Sequence, residues 1–213
     1  MVFDLDGTLV SVEERFYRVF LDTLKAYNQP PVEKEAFMKK FSVNKLDDFL
    51  DIEDEHAFWV DFLKAYNKSY SELSKMIPGA REVLKRLKDN GVKIGVITGR
   101  LSDPKEILTE LHRFNMDSFV DAVVTKKLVF AQLKPDELFS RSLELIQVLE
   151  KIGAEPVNSI MVGDYVVDIE SAKSFGLRAV AVLSGSSDYE SLRKVGPDAI
   201  IKSVVEFPKL LGL

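Results

Sequence analysis

The spacing of apolar residues changes its period twice along the chain. Met1, Val2 and Phe3 form a short apolar run into Asp4-Leu5-Asp6-Gly7-Thr8, which reads as a strand followed by a turn. From about Val12 to Lys75 the period is helical. Phe16, Val19, Phe20, Thr23, Leu24 and Tyr27 form one stripe, and Pro30-Pro31 stops it. Val32 to Phe41 and Lys45 to Leu50 predict two shorter helices. Asp54 to Ser74 predicts a long one, with Phe58, Phe62, Ala65, Tyr66, Ser69 and Leu73 on one face. An all-helical block with aromatic faces implies a small bundle, whose rings are expected to form its core.

At Ile77-Pro78-Gly79 an alternation of short apolar runs and helices begins. Strands are predicted at Val92 to Thr98, Phe119 to Val124, Ser159 to Val162, Arg178 to Leu183 and Asp198 to Ile201. Between and beside them the spacing predicts helices over Ala80 to Asp89, Asp103 to Phe114, Asp136 to Lys151, Asp168 to Phe175 and Asp188 to Lys194. Val- and Ile-rich runs alternating with helices imply a parallel sheet covered on both faces. The expected fold is α/β, a doubly wound Rossmann-like parallel sheet over 1–12 and 77–213, with 13–76 as a small α-helical accessory.

Composition narrows the function classes. The 213 residues suffice for one core and an insert. A formal net charge of -5 argues against a nucleic-acid partner, which requires surplus Lys and Arg. The absence of cysteine removes thiolate chemistry and Cys-held metals, and two histidines, His56 and His112, give little basis for a His-based centre. Apolar runs fall far short of a membrane span, and no basic-then-apolar signal opens the chain, so a cytoplasmic location is the simplest expectation.

In open parallel sheets, ligands sit beyond the carboxyl ends of the strands. The residues at those positions are Asp4 and Asp6, Thr98-Gly99-Arg100, Thr125-Lys126-Lys127, and Gly163-Asp164 with Asp168 one helical turn further on. Asp4 and Asp6 leave an extended backbone on the same side, where two like charges call for a cation or a shared proton; a capping turn is the competing reading. Three or four carboxylates and little else suit a hard divalent cation, Mg²⁺ rather than Ca²⁺, completed by water and a substrate phosphate. For Asp164 and Asp168 helix capping competes with this role. Thr98 and Gly99 offer a hydroxyl and an open N–H to an anionic oxygen, and Lys134 before Pro135 offers a point charge.

Asp4-Leu5-Asp6-Gly7-Thr8-Leu9-Val10, Ile97-Thr98-Gly99, Lys134-Pro135 and Gly163-Asp164-Tyr165-Val166-Val167-Asp168 together resemble the four ordered motifs of the haloacid dehalogenase superfamily. The helical block lies where relatives of the phosphoglycolate phosphatase and β-phosphoglucomutase type carry an α-helical cap. The resemblance implies Asp4 as nucleophile, Asp6 as acid and base, and phosphoryl oxygens held by Thr98, Gly99 and Lys134. It also implies Mg²⁺ held by Asp4, the Asp6 carbonyl and Asp164, with Asp168 in support. An acidic residue at Asp6 favours phosphoryl transfer over dehalogenation, because a departing halide needs no proton.

The chain departs from the pattern in three places. Gly99-Arg100 stands where many relatives have Asn, so Arg100 either contacts substrate or faces solvent. Ser11-Val12 replaces a frequent Asp-Ser after the first motif. The third motif lacks its second proline, and the interval from Lys134 to Asp164 is longer than expected. Arg15, Lys39, Lys40 and Lys45 are candidate contacts from the cap, though a solvated helix face suits each of them better. The expected function is a Mg²⁺-dependent phosphatase of a small phosphorylated metabolite acting through an aspartyl-phosphate. A sugar phosphomutase and a non-catalytic binding or regulatory protein on the same scaffold are the alternatives, and the sequence leaves oligomeric state open.

Overall fold

In a computed structural model, which describes every residue apart from 44, 70 and 135–138, the chain opens with β1 (Val2–Asp4). β1 is buried on both faces and becomes the centre of a six-stranded parallel sheet. A two-residue strand, β2 (Val10–Ser11), leads into α1 (Glu13–Ala26), α2 (Lys34–Phe41) and α3 (Glu55–Lys68). The chain returns through β3 (Lys75–Met76), which pairs antiparallel with β2.

The alternating part follows in order: α4 (Ala80–Asp89), β4 (Gly95–Thr98), α5 (Pro104–Arg113), β5 (Ala122–Thr125), α6 (Lys126–Val129) and α7 (Ser142–Ile152). After these come β6 (Ile160–Gly163), α8 (Val166–Ser174), β7 (Arg178–Val182), α9 (Tyr189–Val195), β8 (Ala199–Ile201) and α10 (Phe207–Leu210). The spatial order of the sheet is β5-β4-β1-β6-β7-β8. The chain thus winds outward from β1 in both directions, and the ends of β1, β4 and β6 meet where the winding reverses.

Strand alternation divides the core into two layers. Phe3, Val96, Val123, Val162 and Val180 face one side, with Val83, Leu84 and Leu87 of α4, Ile107 and Leu111 of α5, and Phe207. Val2, Ile97, Val124, Met161, Ala179 and Ala181 face the other, with Leu145, Val148 and Leu149 of α7 and Ile169 and Ala172 of α8. The buried rings of α1 to α3 continue the first layer, so the helical block shares its apolar cluster with the sheet.

Element types follow the periodicity, and α4 has the expected bounds. Five elements differ in type or by more than two residues: the helix expected over Lys45 to Leu50 is a 3₁₀ turn at Leu46–Phe49, the strand expected from Val92 begins at Gly95, and three others depart further. The helix expected over Asp54 to Ser74 ends at Lys68, because Ser69 turns extended and the buried Arg15 takes the carbonyls of Tyr66 and Ser69, the latter at 3.0 Å. A guanidinium satisfying two free carbonyls is an effective end to a helix. The run Phe119 to Val124 starts as a 3₁₀ turn at Asp117–Phe119, and only Ala122–Thr125 joins the sheet. The helix expected from Asp136 begins at Ser142; residues 139–141 are not helical, and 135–138 lie outside the described residues.

Candidate active site

Asp4 ends β1 and is 2% exposed. Its Oδ1 has no hydrogen-bond partner among the described residues, and Arg141 Nε stands 3.8 Å away. Burial, reinforced by the neighbouring Asp168, holds the Asp4 carboxyl well above the usual range. A buried carboxylate with a free oxygen invites a cation or an electrophile.

Asp164, just past β6, is held from three sides. Thr8 Oγ1 donates to Oδ1 at 3.1 Å, and Ser186 donates to Oδ2 from its backbone N–H at 2.6 Å and its hydroxyl at 3.0 Å. These bonds favour the charged form, but burial and Asp168 outweigh them and push Asp164 up to about 7. Two glycines make this packing possible. Gly7 has φ +88°, and a Cβ on it would lie 2.5 Å from Asp164; one on Gly185 would lie 2.0 Å from Oδ2.

Asp168 sits in the first turn of α8. It accepts the Tyr165 backbone N–H at 3.1 Å, the capping role weighed for it, and also Arg141 Nε at 3.0 Å. Burial raises its pKa, with Arg141 opposing. Ligand atoms of Asp4, Asp164 and Asp168 all lie within 4.8 Å of one another. An all-oxygen donor set with an orphaned Asp4 oxygen fits a hard divalent ion such as Mg²⁺.

Asp6 has a different surrounding. Its carboxylate accepts Thr98 Oγ1 at 3.2 Å and Arg100 Nε at 2.9 Å, with Arg100 Nη2 closing a second contact. Arg100 is 3% exposed, so it does not face solvent. It also pairs with Glu110 of α5 and lies 5.5 Å from the centre of the Tyr66 ring, on α3.

A cavity of about 200 Å³ opens above these groups. Asp4, Asp6, Gly99, Arg100, Arg141 and Asp164 form its floor. Phe16, Phe41, Trp59, Phe62, Leu63 and Tyr66 come from the helical block, and Phe139 precedes α7. Of the expected phosphate-binding residues, Gly99 lines the cavity. Thr98 is fully buried beneath it and spends its hydroxyl on Asp6. Lys134 is exposed and is not among the lining residues, while Pro135 falls outside the described residues. Arg15, Lys39, Lys40 and Lys45 do not line the cavity either; Arg15 is committed to α3 and Lys40 to Asp48. His112 sits on the surface beside Asp117.

Arg141 is the residue that sequence reasoning passed over. It stands immediately before α7, its guanidinium between Asp4 and Asp168. Behind it the buried Glu144 pairs with Lys126 at 2.7 Å, and burial brings that lysine down to about 8. The signal was the long interval after Lys134, since Arg141 is the next cation along the chain.

Comparison with known proteins was made with this geometry in hand. A sequence profile described as haloacid dehalogenase-like hydrolase matches residues 1–182. Pyrophosphatase PpaX of Halalkalibacterium halodurans is 25% identical over 215 residues, covering 100% of this chain and 96% of the relative. Pyrophosphatase PpaX of Bacillus mycoides is 28% identical over 218 residues, covering 100% and 96%. A crystal structure described as a predicted phosphatase from Clostridium acetobutylicum superposes with a TM-score of 0.78 at 23% identity, covering 100% of this chain and 97% of that one, and supports the fold. Among the described residues, no helix is long and apolar enough to cross a membrane.

Proposed function

The chain belongs to the haloacid dehalogenase-like hydrolase family, and from that premise we propose that it is a Mg²⁺-dependent phosphatase of small phosphorylated molecules. The observation that carries this reading is Asp4 itself, a buried residue of the cavity floor whose Oδ1 has no hydrogen-bond partner among the described residues and stands 3.8 Å from Arg141 Nε. The name of the relatives makes pyrophosphate one substrate to test.

In the proposed reaction an Asp4 oxygen forms a bond to phosphorus as the bond from phosphorus to the leaving oxygen breaks. Asp6 serves as the acid after it turns from Arg100 and takes up a proton from solvent, which it then gives to that oxygen. A water molecule then attacks the aspartyl-phosphate and Asp6 takes its proton. Inorganic phosphate departs, and Asp4 is restored. Asp4, Asp164 and Asp168 would hold the ion, which when bound supplies charge neutralisation between the carboxylate and the phosphate. Arg141 steers the Asp4 carboxylate and holds Asp168 in place, whereas Lys134 was expected to hold phosphoryl oxygens. Arg100 sets the direction of the Asp6 carboxylate. The helices of 13–76 act as the cap and keep bulk water from the acyl phosphate.

The test is hydrolysis of phenyl phosphate with and without Mg²⁺ by the wild-type chain and by Asp4→Asn. Release of phosphate that survives the substitution would overturn the mechanism. Conversion of a sugar phosphate between isomers, dependent on a bisphosphate activator, would move the assignment to a mutase.

A further inference from the structure

We infer that the site is built for a phosphate monoester of an aryl or arylmethyl alcohol, and that it disfavours diphosphates; this rests on the phosphatase reading above. Opposite Asp4 the cavity is walled by the rings of Phe16, Phe41, Trp59, Phe62, Tyr66 and Phe139. They form one connected surface. Phe16 lies 4.5 Å from Phe62 and 4.9 Å from Phe41 between ring centres, and Trp59 meets Phe139 edge-on at 5.6 Å. Rings that served only as packing would close on one another, because protein interiors tolerate few voids larger than a water molecule. Here they form one wall of a cavity of about 200 Å³, whose floor is the charged group around Asp4, so the space beyond the reacting carboxylate is bounded by rings.

Charge points the same way. The polar side chains that the helical block and its entry contribute to the wall are Glu13, Asp47 and Tyr66. Among the described residues, both cations that line the cavity are on the floor, and both are engaged, Arg100 with Asp6 and Glu110, Arg141 with Asp168 and Asp4. A second phosphate on the leaving side would meet two carboxylates and no unengaged cation, losing its hydration without compensation. An uncharged ring meets rings. Two details refine the fit. Trp59 donates its indole N–H to Asp47 at 2.6 Å, which fixes the rotation of the indole in the wall. Tyr66 is buried, and its hydroxyl, which has no partner among the described residues, is closed to solvent, so it is the ring that Tyr66 offers to the cavity.

Trp59 is the single tryptophan of the chain, so its emission reports on this cavity without turnover. The experiment titrates the full chain, in Mg²⁺, with benzylphosphonate, methylphosphonate and methylenediphosphonate, none of which can be hydrolysed at a P–O ester, and measures binding by Trp59 fluorescence and by calorimetry. Benzylphosphonate is expected to change the emission and to bind about tenfold or more tightly than methylphosphonate, with methylenediphosphonate no tighter than methylphosphonate. Calorimetry on Trp59→Leu, which keeps an apolar wall, should lose much of the benzyl preference while methylphosphonate binding stays the same.

In parallel, phenyl phosphate should exceed pyrophosphate in kcat/KM by about tenfold or more. Equal affinity for the benzyl and methyl compounds, tighter binding of methylenediphosphonate, or preferred hydrolysis of pyrophosphate would each overturn the inference, the last leaving the phosphatase reading intact. If the binding order holds and no ester or pyrophosphate is hydrolysed, the phosphatase reading falls and the selectivity for a ring stands.

Discussion

The floor and the roof of the cavity are built on opposite principles. The floor is made of strand ends, and its side chains are ionisable, buried or half-buried, and paired: Asp6 with Arg100, Asp168 with Arg141, Asp164 with the Thr8 and Ser186 donors. Each position is fixed by directional bonds, and the one loose end is Asp4 Oδ1. The roof is made of helix faces, and its side chains are rings in contact with one another, with few hydrogen bonds to fix them. Hydrogen-bonded charge gives precision at high cost per misplaced atom, whereas ring packing gives volume and tolerance. On the proposed reading, chemistry would belong to the first region and selection to the second.

The largest effect should come from the loose end itself. Asp4→Asn is expected to remove phenyl phosphate turnover by about a thousandfold or more. It should not lower the melting temperature, since burial already works against the Asp4 charge. Loss of activity accompanied by a fall in stability would mean that Asp4 belongs to the structural pairing of the floor.

Next in size is Arg141→Met, which strands Asp168 and should cost about 3 kcal/mol in chemical denaturation along with most of the activity. Lys134→Ala is the control and should leave kcat/KM within about twofold. The reverse ranking would return the phosphate-binding role to Lys134.

Acidity and metal give a moderate effect with a definite sign. Asp164 is pushed up to about 7 in the folded chain, above its ordinary value. The folded state therefore holds more protons than the unfolded one between about pH 4 and 7, and stability falls as pH rises through that window. Mg²⁺ should offset the repulsion, raising the melting temperature more at pH 7.5 than at pH 5, and EDTA should reverse it. A melting temperature indifferent to Mg²⁺ at pH 7.5 would separate the carboxylate cluster from metal binding.

The smallest effect lies in the roof. Tyr66→Phe removes a buried hydroxyl that has no partner and should raise stability by about 1 kcal/mol in the unliganded chain, read by urea denaturation. A loss of comparable size would show that the hydroxyl is structural.

The same division explains what could be read from residue order. The strand ends were legible because a parallel sheet turns local patterns into positions: Asp4, Gly99 and Asp164 reach the cavity as their places after β1, β4 and β6 imply. Thr98 belongs to the same group, one layer deeper. Arg141 was not legible, since the apolar spacing carries a helix through it and nothing local separates a cation that begins α7 from one on its surface. Arg100 was left open between a substrate contact and solvent, because its burial beside the cavity depends on Asp6 and on Glu110, ten residues on, turning back towards it. The aromatic stripes of α1 and α3 were plain as helix faces. That they stop short of closing over Asp4 depends on how two helices meet, which periodicity does not encode.

One small feature bears on the history of the molecule. The helical block leaves and re-enters the sheet domain through β2 and β3, where Val10 lies opposite Met76 and Ser11 opposite Lys75. Its two ends are therefore neighbours, bonded across a ribbon two residues wide, and the closing Ile77 N–H already donates to Leu9 O at 3.0 Å. Excising the block would leave a gap that a short turn can bridge at little entropic cost. The ribbon is in this sense a socket, through which one floor of strand ends can be refitted with a different roof while the strands beneath keep their register.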